Sequence, residues 1–121
     1  VAIIGILSGI VLTSLGSART KAKDASAKGS MSSIRAQAEI VADDGDYSNV
    51  CSDPEVTKLL DAASRQTTGQ DGQWTCNPDV GAYAADVVLG NGTDYFCVDS
   101  SGNAGVTQSA LGTDLQCPAL N

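Results

Sequence analysis

Histidine is missing from this chain altogether, and aromatic side chains make up only 4% of its 121 residues. Without imidazole there is no ordinary general base near neutral pH, and the commonest metal ligand is gone as well. The four cysteines show no CxxC spacing, so neither a zinc site nor a dithiol redox site has a pattern to rest on. GxSxG, P-loop and GxGxxG motifs are also missing, which leaves nucleophile and phosphate cradle without candidates. Paired acids such as Asp43 and Asp46 read as surface solvation rather than acid–base machinery. These absences describe a protein expected to have no catalytic residues, no cofactor and no metal.

Charge is missing too, but only from one end. The first sixteen residues, VAIIGILSGIVLTSLG, carry none, and Ser8, Thr13 and Ser14 are their only polar side chains. As a helix this stretch spans about 24 Å, short of the ~30 Å hydrocarbon core of a bilayer. The chain begins at Val1 without Met, no basic region precedes the apolar run, and no small-residue cleavage site follows it. The expectation is the end of a membrane segment whose beginning lies upstream, rather than a signal peptide or a buried core helix. Behind it, residues 17–40 hold Arg19, Lys21, Lys23, Lys28 and Arg35 against Asp24 and Glu39, a net of +3. Residues 41–121 hold Lys58 and Arg65 against twelve acids, a net of −10. A head this acidic repels nucleic-acid phosphates, so no nucleic-acid partner is expected for it. The basic stretch suits lipid headgroups, the acidic groups of a neighbouring copy, or simply water.

Residues 43–121, about 80 of them, are enough for one small domain with a modest core. All four cysteines, Cys51, Cys76, Cys97 and Cys117, lie there, which argues for two disulfides in an oxidising compartment. Three connectivities are open; Cys51–Cys76 with Cys97–Cys117 is favoured because each closes a local loop.

Apolar or small residues at Ile3, Ile4, Leu7, Val11, Leu15, Ala18, Ala22, Ala25, Ile34, Ala38 and Val41 recur at helical steps, predicting one helix from residue 1 to about 42. Gly5, Gly9 and Gly16 interrupt its apolar part, and the four-residue spacing of the first two permits close helix packing. The cluster at Asp43, Asp44, Gly45 and Asp46 lacks calcium-loop spacing and reads as a helix terminus followed by a turn. Asp53 and Pro54 open a short helix through about Ser64, burying Leu59, Leu60 and Ala63. Beyond a polar TTGQDGQ stretch, strands are predicted at Tyr83–Leu89, Tyr95–Val98 and Gly105–Gln108, with Asn91-Gly92 as a hairpin turn between the first two. Asn91-Gly92-Thr93 also fits a glycosylation sequon, a weaker reading than the turn. The fold class expected is α+β: a long N-terminal helix laid across a three-stranded antiparallel sheet, with a C-terminal loop tied back by Cys117.

These features together resemble type IV pilins and the related pseudopilins of type II secretion. The match lies in AIIGIL at Ala2–Leu7, in the stem SLGSARTKAKDA at Ser14–Ala25, and in YFCVDSSGNAG at Tyr95–Gly105. The resemblance implies that about nine residues are missing upstream, among them the glutamate used for subunit docking. It departs in one respect: no proline follows the apolar segment before Pro54, and Gly9 and Gly16 stand nearest to its place. No aromatic lies on the stem, since Tyr47, Trp74, Tyr83, Tyr95 and Phe96 all come later, so an electron-conducting core is unsupported.

The resemblance implies a structural subunit of an extracellular filament, drawn from an inner-membrane pool and held as a homopolymer by Val1, Ile3, Ile4, Gly5, Ile6, Leu7, Gly9, Ile10, Val11, Leu12 and Leu15. Three segments follow: 1–16 as the membrane and filament-core rod, 17–42 as the amphipathic continuation, and 43–121 as the head. The alternatives are a pseudopilin and a membrane-anchored monomeric binding module, the last of which would carry a ligand pocket in its head.

Overall fold

The computed structural model describes the backbone of residues 2–42 and 45–120, and their side chains apart from those of 2 and 7–17. A single helix, α1 (Ala2–Val41), runs for 40 residues, about 60 Å. It passes through Gly5, Gly9 and Gly16 without interruption. In its second half Ala27, Met31, Ile34 and Ala38 are fully buried. Their four- and three-residue steps set them on one stripe. Ala18, Ala22 and Ala25, expected to share that stripe, are exposed instead. At ~100° per residue they point away from Ile34 and Ala38, and the alanines' neutrality in a simple apolar count hid the change of face. Helix α1 stops at Val41, and Gly45 then takes φ 80°, so the expected turn is there, although Asp43 and Asp44 lie outside the described residues.

After a single 3₁₀ turn at Val50–Ser52 comes α2 (Pro54–Thr68). Asp53 caps its start by accepting the Val56 N–H at 3.1 Å, with Pro54 in the first turn. The helix runs one turn past the expected Ser64, where the Thr67 hydroxyl donates to the Val88 carbonyl at the end of the second sheet strand and so ties the last turn to the sheet. Gly69 in the left-handed conformation, φ 76°, then ends it, its N–H donating to the Arg65 carbonyl. Val56, Leu60 and Ala63 are buried, and Leu59 is half-buried against the same core.

The sheet has four strands, not three: β1 (Trp74–Pro78), β2 (Tyr83–Val88), β3 (Tyr95–Asp99) and β4 (Ala104–Thr107), in sequence order and antiparallel throughout. Strand β1 escapes a composition reading because WTCNP has an asparagine and a terminal proline, tolerable only on an edge. Tertiary partners hold it there: Cys76 is bonded to Cys51 and registers with Ala85, and the Trp74 indole N–H donates to Asp61 Oδ1 at 2.8 Å. Between β2 and β3 the connection is longer than a two-residue hairpin. Asn91 Oδ1 accepts the N–H groups of both Thr93 and Asp94, an Asx turn that takes up the extra residues.

Alternation along β2 and β3 builds two layers. Tyr83, Ala85, Val87, Phe96 and Val98 face the helices in the main core. Ala84 and Cys97 face the other way, where Leu111 and the half-buried Cys117 cover them. An antiparallel sheet usually leaves one face wet. Here the C-terminal segment closes that face, so β2 is buried on both sides.

Candidate functional site

Strand β2 runs antiparallel to the second half of α1, which fixes the two ends of the head. Tyr83, at its start, shares a groove with Arg35 and Glu39. At its other end the Gly90 N–H donates to Asp24 Oδ1 at 3.1 Å. A β-carbon on Gly90 would come within 3.3 Å of Asp24 Oδ1 and 3.4 Å of Thr20 Cγ2, so glycine lets the β2–β3 loop sit close against the helix. Thr20 and Asp24 therefore mark the neck, the last place where described contacts tie the head to α1. The helix continues about 27 Å N-terminal of Thr20, for a further 18 residues to Ala2.

Ile3, Ile4 and Ile6 on that stem are 71%, 70% and 66% exposed, and Gly5 faces open space. The other residues expected to form a packing surface are placed only in part. Helix backbone carries Leu7, Gly9, Ile10, Val11, Leu12 and Leu15, but their side chains, and all of Val1, lie outside the described residues. No helix among the described residues is long and apolar enough to cross a membrane. Among the described residues of the stem, Ile3, Ile4, Gly5 and Ile6 have no cover from the head.

The head beneath is fastened tightly. Disulfides join Cys51 to Cys76 and Cys97 to Cys117, the pairing favoured on loop length. Two carboxylates not singled out in the sequence, Asp86 and Asp99, are each 2% exposed. Both point to the sheet face covered by the C-terminal segment. Asp86 Oδ2 accepts the Leu111 N–H at 2.9 Å. Asp99 accepts N–H groups of Ser101 and Asn103 through Oδ1, and those of the Asn103 amide and Cys117 through Oδ2, all between 2.8 and 3.0 Å. The one available signal was position: each alternates with a core residue in a strand. Burial pushes the Asp86 carboxyl above its ordinary range, against hydrogen bonds from Leu111 and Thr75 that pull it down. Burial also lifts the Tyr83 phenol to about 12, with the Glu39 charge adding to it. Tyr47 is raised as well, chiefly because its hydroxyl donates to Glu39 at 3.0 Å.

Two concavities among the described residues have mixed polar and apolar linings. One, of about 270 Å³, lies between Ser32, Arg35 and Glu39 of α1 and Tyr83, Ser100 and Gly102. A second, of about 480 Å³, is an open hollow along residues 114–118. Neither places a nucleophile beside a base. No family model, no curated protein and no solved structure matches this chain.

Proposed function

We propose that this chain is the structural subunit of a type IV pilus-like helical filament on the cell surface, assembling through its N-terminal helix from an inner-membrane pool. The observation that carries the reading is the stem: a helix that runs on past a doubly stapled head, with its described isoleucines, Ile3, Ile4 and Ile6, exposed. Exposed isoleucines on a rigid rod are costly in water and gain about 1.5–3 kcal/mol each on burial. Ile3, Ile4 and Ile6 together amount to about 4.5–9 kcal/mol, within the ~4–15 kcal/mol that association costs, and the rest of the apolar run adds to it. Copies leaving the lipid would pack these rods into a central bundle and present the acidic heads outward. Function here is packing, with no chemical step.

The test is electron cryo-microscopy of material sheared from cells, with Ile6→Asp as the partner experiment. Long homopolymers with a core of N-terminal helices, lost in Ile6→Asp while its head stays folded, are the expected result. Normal filaments from Ile6→Asp, or wild-type chain found only in membranes, would sink the reading. Short stubs alone would point to the pseudopilin.

A further inference from the structure

The two ends of the head differ in charge. At the neck, Arg19, Lys21 and Lys23 are all exposed. Among the described residues the ion pairs are Lys58–Glu55 and Arg65–Asp71, and neither takes in any of these three. Lys28, one turn further, lies over the Phe96 ring at 5.8 Å. The acids nearby are committed to the fold: Asp24 accepts from Gly90, and Asp94 from the Asn91 amide. The far end is acidic instead, and there Glu39 accepts from the Tyr47 hydroxyl and Asp46 from the Ser48 N–H. Glu39 and Asp79 are exposed and Asp46 is half-buried, with Arg35 the α1 cation at that end. The Tyr47 N–H donates to the Val80 carbonyl at 3.2 Å, which brings Asp46 beside the turn that carries Asp79. The same end exposes two large apolar side chains, Ile40 at 75% and Val80 at 63%. From Lys21 to Glu39 the helix rises about 27 Å, so cations and carboxylates occupy opposite ends of one rigid element.

Exposed apolar side chains beside polar and charged groups suit a docking face, and the charge that complements Glu39, Asp46 and Asp79 stands on the opposite end of the same molecule. A surface that fits a different surface of its own copy makes a heterologous contact, which closes into a ring if its rotation closes and otherwise propagates into an open helix. We propose that the acidic far end of one subunit, Glu39, Asp46 and Asp79, docks on the basic neck of the next, Arg19, Lys21 and Lys23. The contact is a second copy of this chain joined head to tail. This proposal rests on the filament reading and adds to it: the apolar rods supply the attraction, and the ionic contact sets axial register and polarity. Anionic lipid is the competing occupant for the neck. The far end, with a matching number of carboxylates and exposed apolar groups, favours a protein partner.

The experiment uses full-length chains and measures the critical concentration for filament growth. The variants are Arg19→Glu/Lys21→Glu/Lys23→Glu, Glu39→Lys/Asp46→Lys/Asp79→Lys, and the combination of all six. Exposed pairs are worth a few-fold each, so either triple variant is expected to raise the critical concentration about tenfold or more, and the combined variant to return close to wild type. Wild-type assembly should also weaken with salt, as the screening length falls from ~10 Å at 0.1 M to ~3 Å at 1 M. Triple variants that assemble like wild type would overturn the proposal. So would a combined variant that stays defective while the neck triple loses flotation with phosphatidylcholine vesicles doped with phosphatidylglycerol, since the neck would then serve lipid. In either case wild-type filaments that vanish in Ile6→Asp leave the filament reading standing. If wild-type chain yields no filaments, that reading fails first and takes this one with it.

Discussion

Replacing Asp99 with alanine removes, in one step, the acceptor for four N–H groups, among them the Cys117 N–H of the C-terminal segment. The losses are unequal. Ser101 and Asn103 are exposed, so their donors turn to water, and each of those three bonds costs about 0.5 kcal/mol. The Cys117 N–H is part-buried and bonded at 2.8 Å. A bond of that kind to a charged acceptor contributes about 1.5–3 kcal/mol. Cys97–Cys117 keeps the segment in place, so the orphaned N–H remains near its old position without reaching bulk water. The total is about 3–4.5 kcal/mol. With a urea slope of ~1.5 kcal/mol per M, the unfolding midpoint should fall by about 2–3 M. Trp74, the single tryptophan, is the fluorescent reporter, with detergent shielding the stem. Asp99→Asn separates the contributions. Its remaining carbonyl can serve Ser101 and Asn103, while its amide meets the Cys117 N–H donor to donor, so a loss of about 2 kcal/mol is expected. The exposed Asp79→Ala is the control and should stay within ~0.5 kcal/mol of wild type. A midpoint for Asp99→Ala no lower than that of Asp79→Ala would refute the reasoning, because the C-terminal segment would then be energetically separate from the sheet it covers.

Three further outcomes are expected. Ile34→Ala, at a fully buried position on α1, should cost about 3 kcal/mol in the same urea assay, and a loss below about 1 kcal/mol would mean that the helix is not bonded into the core as the burial indicates. Asp86 has a folded carboxyl raised above its ordinary value of 3.8, so its stabilising contribution is complete below 3.8 and lost as pH rises through the folded value. Urea midpoints across that window should show wild type losing ground to Asp86→Asn with rising pH; the opposite slope would show the sign to be wrong. Tyr83, raised from 10.0 to about 12, should ionise late in an ultraviolet titration, and Tyr83→Phe should delete that late transition. Loss of the early part of the curve instead would place the buried phenol elsewhere.

Much of the fold is local and therefore legible in the residues. Asp53-Pro54 at the start of α2 and Gly69 at its end follow from backbone chemistry that needs no partner. The loop-length argument selected the disulfide pairing that the structure contains. Strand β1 was not legible, because WTCNP has little intrinsic strand preference and is held by Cys51, Asp61 and β2. The stripe on α1 was half legible: Ile34 and Ala38 stood on it, whereas Ala22 and Ala25 could be assigned a face only once the head had chosen one. Of the proposed assembly surface, the apolar run and its basic successor are plain in the chain. The neck at Gly90 and Asp24 is not, since 66 residues separate that donor from its acceptor.

The division has a physical basis. What the sequence determined by itself was whatever depends on neighbours within a turn or two: an uncharged helical rod, a basic stem, caps, turns, and a stapled acidic head. What only tertiary structure decided was which side of each element is inside. Asp86 and Asp99 look like solvent-facing acids of an antiparallel strand until the C-terminal segment covers that face, and then they become its anchors. The opposition of cations and carboxylates along α1 arises in the same way. The helix carries the cations in order, but the antiparallel course of β2 brings the turn bearing Asp79 to the end farthest from them, because strand and helix pack lengthwise to bury the stripe from Ala27 to Ala38.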